Sequence, residues 1–432
     1  MKGAKLNKNL STFLRHIDSI RDTLPMTMLL IHPHGEKASK ELLDFINNNV
    51  EKVEEDDCKK KILVKAEESK LFETLERNAS ISSLASKIIP ESLFVSLISQ
   101  YDAFINRLLR AIFEIKPEML NGSDRNILFS QLVEYNSIED AREYIIEKEI
   151  DTVLRKSHSE QFDYLENRLG MKLREKLPIW KTFIELTERR NILVHCDGVV
   201  SNQYIKNCKE HSCSIVDVSI GKRLDLTPEY FSQAYYCLYE MSVKLTHTIW
   251  RKLLISDLKN ADDELNDCCY NLIINDSYHL ADVLLEFGYA QKKKFNDSSE
   301  NVFIINRALS KYLQGKNKEA KKILEKKDWS ASSYDFKLAN EVIKENYEVV
   351  YRLMRKIGKN GDVDKTAYKE WPLFSKIRNI TEFTNVYKEI FEEEYSVLET
   401  PLRPVIKLIN KELKKKIQEK TVKKGESEKE II

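Results

Sequence analysis

An arginine and a histidine late in one predicted helix are the side chains in this sequence best suited to phosphate and proton-transfer chemistry. They lie in the segment ERRNILVH, residues 188–195, as Arg190 and His195, and Asn191 follows the arginine directly. A neutral imidazole accepts a proton near neutral pH, and a guanidinium fork matches phosphate oxygens on which charge develops. The alternative is that both are solvated residues, because cations also suit the C-terminal end of a helix.

The spacing of the pair limits what one helix can do with it. Five residues correspond to about 500°, so Arg190 and His195 lie about 140° apart around the helix axis. Asn191 and His195 are four residues apart and share a face. One helix therefore does not place Arg190 beside His195. Asn191 could orient the phosphate or His195, and it could equally form a local cap of the helix.

Other chemistries lack the residues that they need. The Cys208-x2-His211-x-Cys213 spacing matches no common structural zinc site, and the HPH segment at 32–34 is better explained as a polar loop. The sequence contains no GxxxxGK[ST], GxGxxG or GxSxG motif, which argues against nucleotide hydrolysis, dinucleotide redox chemistry and hydrolase triads. We therefore expect neither a metal nor a cofactor.

The composition predicts that helices position these residues. Only 11 of 432 residues are Gly and 9 are Pro, whereas sandwiches, barrels and propellers need many more for turns. Hydrophobic residues make up 42%, enough for a sizeable core. The sequence thus predicts an all-α fold.

The charge balance and the cysteine content limit which partners and which cellular compartment are expected. Lys and Arg number 70 against 69 Asp and Glu, so binding of nucleic acid would have to use local patches. No long apolar run predicts a membrane span, and the N-terminus does not read as a secretion signal. Seven irregularly spaced cysteines suit reduced thiols. We expect a cytoplasmic protein with no membrane partner.

Periodicity predicts the individual helices. Pro90 is expected to open a core helix that ends before Pro117, and further helices are expected over 138–156, from Pro178 to His195, and from Thr227 to about Trp250. Before residue 88 we expect amphipathic helices interrupted by a loop at HPHG, with a lone strand at MTMLLIH as the alternative. A short hairpin is expected around SIVDVSIGKRLDL.

The motif and its helical setting resemble the HEPN superfamily of nucleases. The resemblance rests on Arg190-Asn191-x3-His195, on the helix SLFVSLISQYDAFINRLLRAIF, and on the run from EIDTVLRK to GVVSNQYI, and it covers about 89–256. It implies a four-to-five-helix bundle that dimerises around the motif helices, so that residues of two protomers converge on one phosphodiester. A symmetric dimer needs only one self-complementary patch.

The resemblance also implies an activity, metal-independent cleavage of RNA. His195 would act as the base toward a ribose 2′-OH and Arg190 would stabilise charge on the phosphate, giving a 2′,3′-cyclic phosphate and a 5′-OH. Such bacterial proteins act as toxins or phage-defence effectors. A non-catalytic HEPN scaffold for dimerisation and binding is the alternative function, and a protein trigger or antitoxin is a candidate partner.

Fainter patterns concern the surroundings of the motif. A set of basic residues either forms a rim that binds RNA phosphates or is ordinary solvated surface: Lys172, Arg174, Lys176, Lys181, Arg189, Lys222 and Arg223. Tyr101 and Asp102 lie in the middle of the first HEPN helix. A polar residue there would support the motif helix, but a core tyrosine and an exposed aspartate are the slightly preferred interpretation.

These interpretations divide the chain into four parts. Residues 1–88 form an N-terminal helical segment and 89–257 the HEPN ribonuclease domain. Residues 258–410 form a helical recognition or regulatory domain, in which NRALSKYLQGKNKEAKKIL resembles one tetratricopeptide hairpin. Residues 411–432 are expected to be a charged, flexible tail.

Overall fold

The computed structural model describes residues 2–56, 59–122, 127–175, 177–215 and 217–395, so the predicted tail at 411–432 lies outside the described residues. Its elements are helices except for one pair of short strands, and the predicted all-α class is confirmed. In chain order they are α1 (Lys2–Asn49), β1 (Val50–Asp56), β2 (Lys59–Val64), α2 (Ser69–Ile115), α3 (Phe129–Leu132), α4 (Ile138–Leu154), α5 (His158–Leu169), α6 (Trp180–His195), α7 (Asn202–Glu210), α8 (Pro228–Leu253), α9 (Leu258–Ile274), α10 (Tyr278–Tyr289), α11 (Asp297–Leu313), α12 (Asn317–Leu324), α13 (Tyr334–Lys344), α14 (Tyr347–Ile357), α15 (Lys365–Glu370) and α16 (Thr381–Phe391). Short 3-10 turns follow α2, α8 and α15.

The first two helices form a long antiparallel pair, joined by the antiparallel strands β1 and β2. The ring of Phe13 lies 4.9 Å from that of Phe104, and the ring of Phe45 lies 5.9 Å from that of Phe72. The start of α1 also packs on α8. Its narrow apolar stripe is therefore buried against other helices.

Three prolines lie inside these helices, which corrects several expectations. Pro25 and Pro33 are inside α1, so neither the loop at HPHG nor the alternative strand at MTMLLIH is present. Pro90 is inside α2 and does not open it. A proline inside a helix removes one backbone hydrogen bond and costs about 3 kcal/mol or more. Packing of α1 along α2 offsets this cost, and a local pattern does not reveal that support.

One described helix, α2, is apolar enough to cross a membrane by length and composition alone. Its most apolar 18-residue window has a mean hydropathy of 1.4, and 22% of that window is buried. Core helices of soluble proteins meet the same criterion.

The central helices largely follow the predicted boundaries. The Thr227 hydroxyl caps α8 by accepting a hydrogen bond from the Tyr230 backbone N–H at 3.2 Å, with Pro228 at the first helical position. The motif helix α6 ends at His195, where Asp197 and Gly198 take the left-handed conformation with φ of 48° and 76°. A helix ends at such residues because their N–H groups turn back to its last carbonyls.

The segment after the motif helix differs from the prediction. No hairpin forms among the described residues of SIVDVSIGKRLDL; instead Val199 bridges to Arg223, and α7 lies between them in sequence. Tyr204 and Cys208 of α7 pack in a cluster with Ile192 of α6. The segment folds back because α7 has an apolar face to bury against the motif helix.

The chain divides into two compact units, Met1–Gln314 and Gly315–Ile432. The division falls inside the predicted 258–410 domain, because α9 and α10 pack on α8 within the first unit. The segment of the expected tetratricopeptide-like hairpin spans this division, with α11 in the first unit, where it packs on α9 and α10, and α12 in the second, where it packs on α13. In the second unit, α13, α14 and α16 surround buried residues that include Val342, Met354 and Phe383.

Candidate active site

The motif helix α6 is placed by its apolar side. Phe183, Ile184 and Leu186 are at most 2% exposed, and α6 packs against α2, α5 and α8. This packing fixes the helix axis, so the polar residues of its last two turns lie at defined positions. Those two turns carry Arg190, Asn191 and His195.

Arg190 is held by a carboxylate from a different helix. Its Nη2 donates to Oδ2 of Asp102 at 3.1 Å, and Oδ1 of the same carboxylate lies 2.8 Å from Nε2 of His158. Asp102 thus joins α2, α5 and α6 through one side chain. The interpretation that a polar residue of this helix supports the motif helix agrees with these contacts, and Asp102 is that residue. Tyr101 is fully buried, as expected of a core tyrosine.

The network leaves part of the Arg190 guanidinium uncommitted. Its side chain is 23% exposed, against 9% for His158 and 35% for Asp102. Nε of Arg190 is buried without a hydrogen-bond partner among the described residues. The side chain is therefore oriented by one carboxylate while its outer N–H groups still reach solvent.

His195 and Asn191 lie differently from Arg190. His195 is exposed as the last residue of α6 and has no hydrogen-bond partner in the described part of the chain. Asn191 is half-buried one turn earlier on the same side. The structure therefore brings Arg190 together with Asp102 and His158, and it leaves His195 free at the helix end about 140° around the axis from Arg190.

The loop that follows His195 is tied back to α2. Nε of Arg223 donates to the Asp197 carbonyl at 3.0 Å, and Nη2 of Arg223 donates to the Glu91 carboxylate at 2.6 Å. The turn favours glycine at position 198, because an added Cβ would lie only 3.3 Å from Cδ2 of Leu193. These contacts hold the backbone next to His195 in place while its ring stays exposed.

A second carboxylate, Glu185, organises the buried side of the same helix. It is 8% exposed and accepts hydrogen bonds from Nε of Arg189 and from the hydroxyls of Tyr204 and Tyr230. The pKa of the Tyr230 hydroxyl is raised by burial and by the Glu185 charge. The Arg189 guanidinium also stacks 4.1 Å from the Tyr230 ring. This cluster fixes α6 on α7 and α8.

Several residues of the expected basic rim are paired within the chain. Arg189 is bound to Glu185, Arg174 to Asp163 and Glu166, and Arg223 to Glu91 and Asp225. The Lys222 ammonium donates to the Asp217 carbonyl. The three arginines thus fold onto neighbouring carboxylates, whereas Lys222 binds a backbone oxygen. Lys172 and Lys181 are exposed, and Nζ of Lys172 lies 3.9 Å from Oε2 of Glu175. Lys176 lies outside the described residues.

His158, Glu185, Tyr204 and Tyr230 were not found from the sequence. The Ser157-x-x-Glu160 capping box does predict the start of α5, which places His158 at its first position. No local signal indicates that His158 meets Asp102, because 56 residues separate them.

Three clefts in the described part of the chain are lined by residues other than those of the motif. One, about 650 Å³, lies between α8 and α10 and includes Tyr236 and His279, and a second, about 550 Å³, surrounds Glu185. A third, about 260 Å³, is lined by Phe162 and Lys244. Among the described residues, no group of three or more His, Cys, Asp or Glu side chains is arranged to hold a metal ion.

Comparisons with protein-family models, curated proteins and solved structures found no match to this chain.

Proposed function

We propose that this chain is a metal-independent endoribonuclease of the HEPN kind, with Arg190, Asn191 and His195 as its catalytic residues. The observation that carries the proposal is the Asp102–Arg190 pair, on the same helix as an exposed His195 that ends it. An arginine that is oriented by a carboxylate and still partly exposed suits the binding of a phosphate, because its remaining N–H groups keep a fixed direction.

The roles follow from the chemistry of each group. The unpartnered imidazole of His195 accepts the proton of a ribose 2′-OH, and the 2′ oxygen then attacks the adjacent phosphorus. The P–O5′ bond breaks and the departing O5′ takes up a proton from water, which leaves a 2′,3′-cyclic phosphate and a 5′-OH; the protonated imidazole then returns its proton to water. The Arg190 guanidinium neutralises charge on the non-bridging oxygens in the transition state. Asn191 shares the face of His195 and orients that ring or the phosphate.

The 140° separation requires a second copy of the chain. In a two-fold dimer around α6, Arg190 of one protomer and His195 of the other face the same cleft, since a two-fold axis presents each surface twice. The homodimer and the RNA substrate are therefore parts of one proposal.

An enzyme of this kind harms the cell unless it is restrained. We propose that it acts in the cytoplasm as a toxin or phage-defence effector, under a protein trigger or antitoxin. The second unit, from Gly315, is the candidate for regulation because it has its own core and no motif residue.

A non-catalytic HEPN scaffold is the second candidate function. The observation that favours it is the pairing of Arg174, Arg189 and Arg223 with carboxylates, which leaves few free cations to bind RNA. The scaffold would keep the dimer and bind a partner without cleavage.

One experiment separates the two candidates. Purified protein is incubated with total RNA and with tRNA in EDTA, and the ends of the products are mapped. Cyclic phosphate ends that disappear in Arg190→Ala and His195→Ala support the nuclease. Arg15→Ala and His279→Ala, which change exposed residues away from the motif, serve as matched controls.

Cleavage that persists in both motif variants contradicts the proposed site. A folded dimer that cleaves no RNA, with or without its cellular trigger, favours the scaffold. In cells, both motif substitutions are expected to abolish toxicity.

A further inference from the structure

Two cysteines with free thiols lie at the end of α7, next to the motif helix. Cys208 is in the last turn of α7 and is fully buried, and Cys213 lies just beyond the helix and is half-buried. Cys208 belongs to the apolar cluster that includes Ile192 of α6, and Cys213 packs against the same cluster. The two side chains therefore share one small core between α6 and α7.

The chain turns back sharply between the two cysteines. Ser212 takes the left-handed conformation with a φ of 53°, and its N–H donates to the Lys209 carbonyl at 3.0 Å. The N–H of Cys213 donates to the Cys208 carbonyl at 2.8 Å. These two hydrogen bonds define a Schellman motif, and in that motif the side chains at the positions of Cys208 and Cys213 often contact each other.

The second hydrogen bond limits the separation of the two cysteines. Its donor nitrogen is bonded to Cα of Cys213, and its acceptor oxygen is one carbon away from Cα of Cys208. Standard bond lengths then place the two Cα atoms at most about 6.7 Å apart, whatever the angles. Cysteines joined by a disulfide usually have Cα atoms about 4.4–6.8 Å apart. The folded turn thus already meets the distance that a disulfide requires.

The two thiols also interact directly with each other. The neighbouring thiol of Cys208 lowers the pKa of the Cys213 thiol, whereas the contact with Cys213, together with burial, raises the pKa of Cys208. The thiolate is the form of cysteine that attacks oxidants, so a lowered pKa favours reaction. Cys213 is therefore suited to react first, and Cys208 is suited to close the bond.

An open cleft gives access to Cys213. The cleft of about 550 Å³ that surrounds Glu185 is lined by Ser212 and Ser214, the residues on either side of Cys213. It is large enough to admit a molecule as small as hydrogen peroxide. Cys208 is fully buried, which protects its thiol from direct oxidation, because susceptibility follows exposure.

We propose that Cys208 and Cys213 form a redox-active pair that a peroxide converts into a reversible disulfide at the end of α7. The inference goes beyond the proposed function and does not depend on it. Oxidation sites of this kind pair an accessible thiol with a second thiol that resolves the first oxidation product, and the turn holds two such thiols together.

The reaction needs no group other than the two thiols and the peroxide. The Cys213 thiol loses its proton to water, and its sulfur attacks one oxygen of hydrogen peroxide. An S–O bond forms, the O–O bond breaks, and the departing hydroxide takes up a proton to give water. The Cys208 sulfur then attacks the Cys213 sulfur, the S–S bond forms, and the S–O bond breaks. The released hydroxide leaves as water with the Cys208 proton, so the thiols lose two electrons and the peroxide becomes two water molecules.

The disulfide would act on the motif helix through the shared cluster. Cys208 packs with Ile192, which directly follows Asn191 on α6. Closing the bond moves the Cys208 sulfur toward Cys213 and so changes the packing beneath the last turns of α6. Only this consequence touches the nuclease proposal, and the bond itself is measured without any cleavage assay.

The test is peptide mapping of the full chain after a short treatment with hydrogen peroxide. The remaining thiols are blocked with N-ethylmaleimide, and the protein is digested with trypsin without a reductant. Trypsin cuts after Lys209, between the two cysteines, so only a disulfide keeps their peptides together. The wild type is expected to yield this linked peptide and to lose it on treatment with dithiothreitol.

Variants of the pair separate the roles of the two thiols. Cys213→Ser is expected to abolish the linked peptide. Cys208→Ala is expected to abolish it as well, but to leave Cys213 as a sulfenic acid that dimedone traps. Cys196→Ser changes an exposed cysteine outside the pair and is the matched control, expected to form the linked peptide like the wild type. Circular dichroism confirms that each variant is folded.

Three results would overturn the proposal. Folded wild type that yields no linked peptide shows that the two cysteines serve packing alone. A linked peptide that appears only after unfolding in urea shows that the folded turn does not support the bond. A disulfide between Cys213 and Cys196 places the reactive pair elsewhere. None of these measurements involves RNA, so failure of the nuclease proposal and failure of the disulfide are distinguishable.

Discussion

Replacing Asp102 with asparagine is the most direct test of how Arg190 is positioned. The substitution keeps the size of the side chain and one oxygen acceptor, but it removes the charge that binds Arg190 at 3.1 Å and faces His158 at 2.8 Å. A hydrogen bond to a charged group contributes about 1.5–3 kcal/mol, whereas a neutral one contributes about 1 kcal/mol. Because Asp102 is 35% exposed, solvent reduces the difference, and we expect a stability loss of about 1 kcal/mol.

The expected loss of cleavage is larger than the loss of stability. A guanidinium released from its carboxylate can shift by about 1 Å, and a displacement of that size costs on the order of 10²-fold in rate. We therefore expect Asp102→Asn to lower the single-turnover rate of RNA cleavage by ~10- to 100-fold. Urea unfolding measures the stability of the same samples.

A double substitution separates positioning from a general effect. Since Asp102 acts through Arg190, adding Asp102→Asn to Arg190→Ala should change the rate no further. Asp163→Asn is the matched control, because it breaks the Asp163–Arg174 pair in the same unit but away from the motif. The reasoning is refuted if Asp102→Asn cleaves RNA at the wild-type rate. It is also refuted if adding Asp102→Asn slows the residual reaction of Arg190→Ala.

Three further predictions concern the fold. Truncation after Gln314 should leave a first unit that melts cooperatively by circular dichroism, whereas truncation at 257 should aggregate because it uncovers the surface of α8 that α9 and α10 cover. Gly198→Ala should cost about 1–2 kcal/mol in urea unfolding and more than Gly170→Ala, because both glycines have positive φ but only Gly198 has a close neighbour for the added Cβ. Burial, and then the charge of Arg251, lowers the pKa of His247 to about 3. In the unfolded chain the pKa of His247 is near 6.5, so on acidification the unfolded chain binds the proton first. The free energy of unfolding therefore decreases as the pH falls below 6.5. Between pH 7.5 and pH 5 the wild type should lose about 2 kcal/mol more than His247→Phe, as measured by urea unfolding.

Several parts of the fold were predictable because their causes are local. The cap at Thr227 and Pro228 needs only neighbouring residues, and α8 begins as predicted. Asp197 and Gly198 end α6 for the same kind of reason, since a left-handed residue stops a helix wherever it stands. The low content of glycine and proline was enough to predict the all-α class.

The candidate site was predictable only in part. The sequence supplies Arg190, Asn191 and His195 and their spacing on one helix, and these are local facts. The partner of Arg190 is not local, since Asp102 lies 88 residues earlier, and the sequence alone made an exposed aspartate the preferred interpretation. Likewise, the basic residues near the motif suggest a rim, and only their distances to carboxylates show that most are paired.

The sequence by itself thus determined that the chain is mainly helical, where several of the central helices begin or end, and which residue types the motif helix carries. The tertiary structure decided which helices pack together. It carries α1 through Pro33 and α2 through Pro90, because side-chain packing between two long helices offsets a missing hydrogen bond. It also places the division of the chain at Gln314, since contacts among α8, α9 and α10 bury surfaces that lie far apart along the sequence.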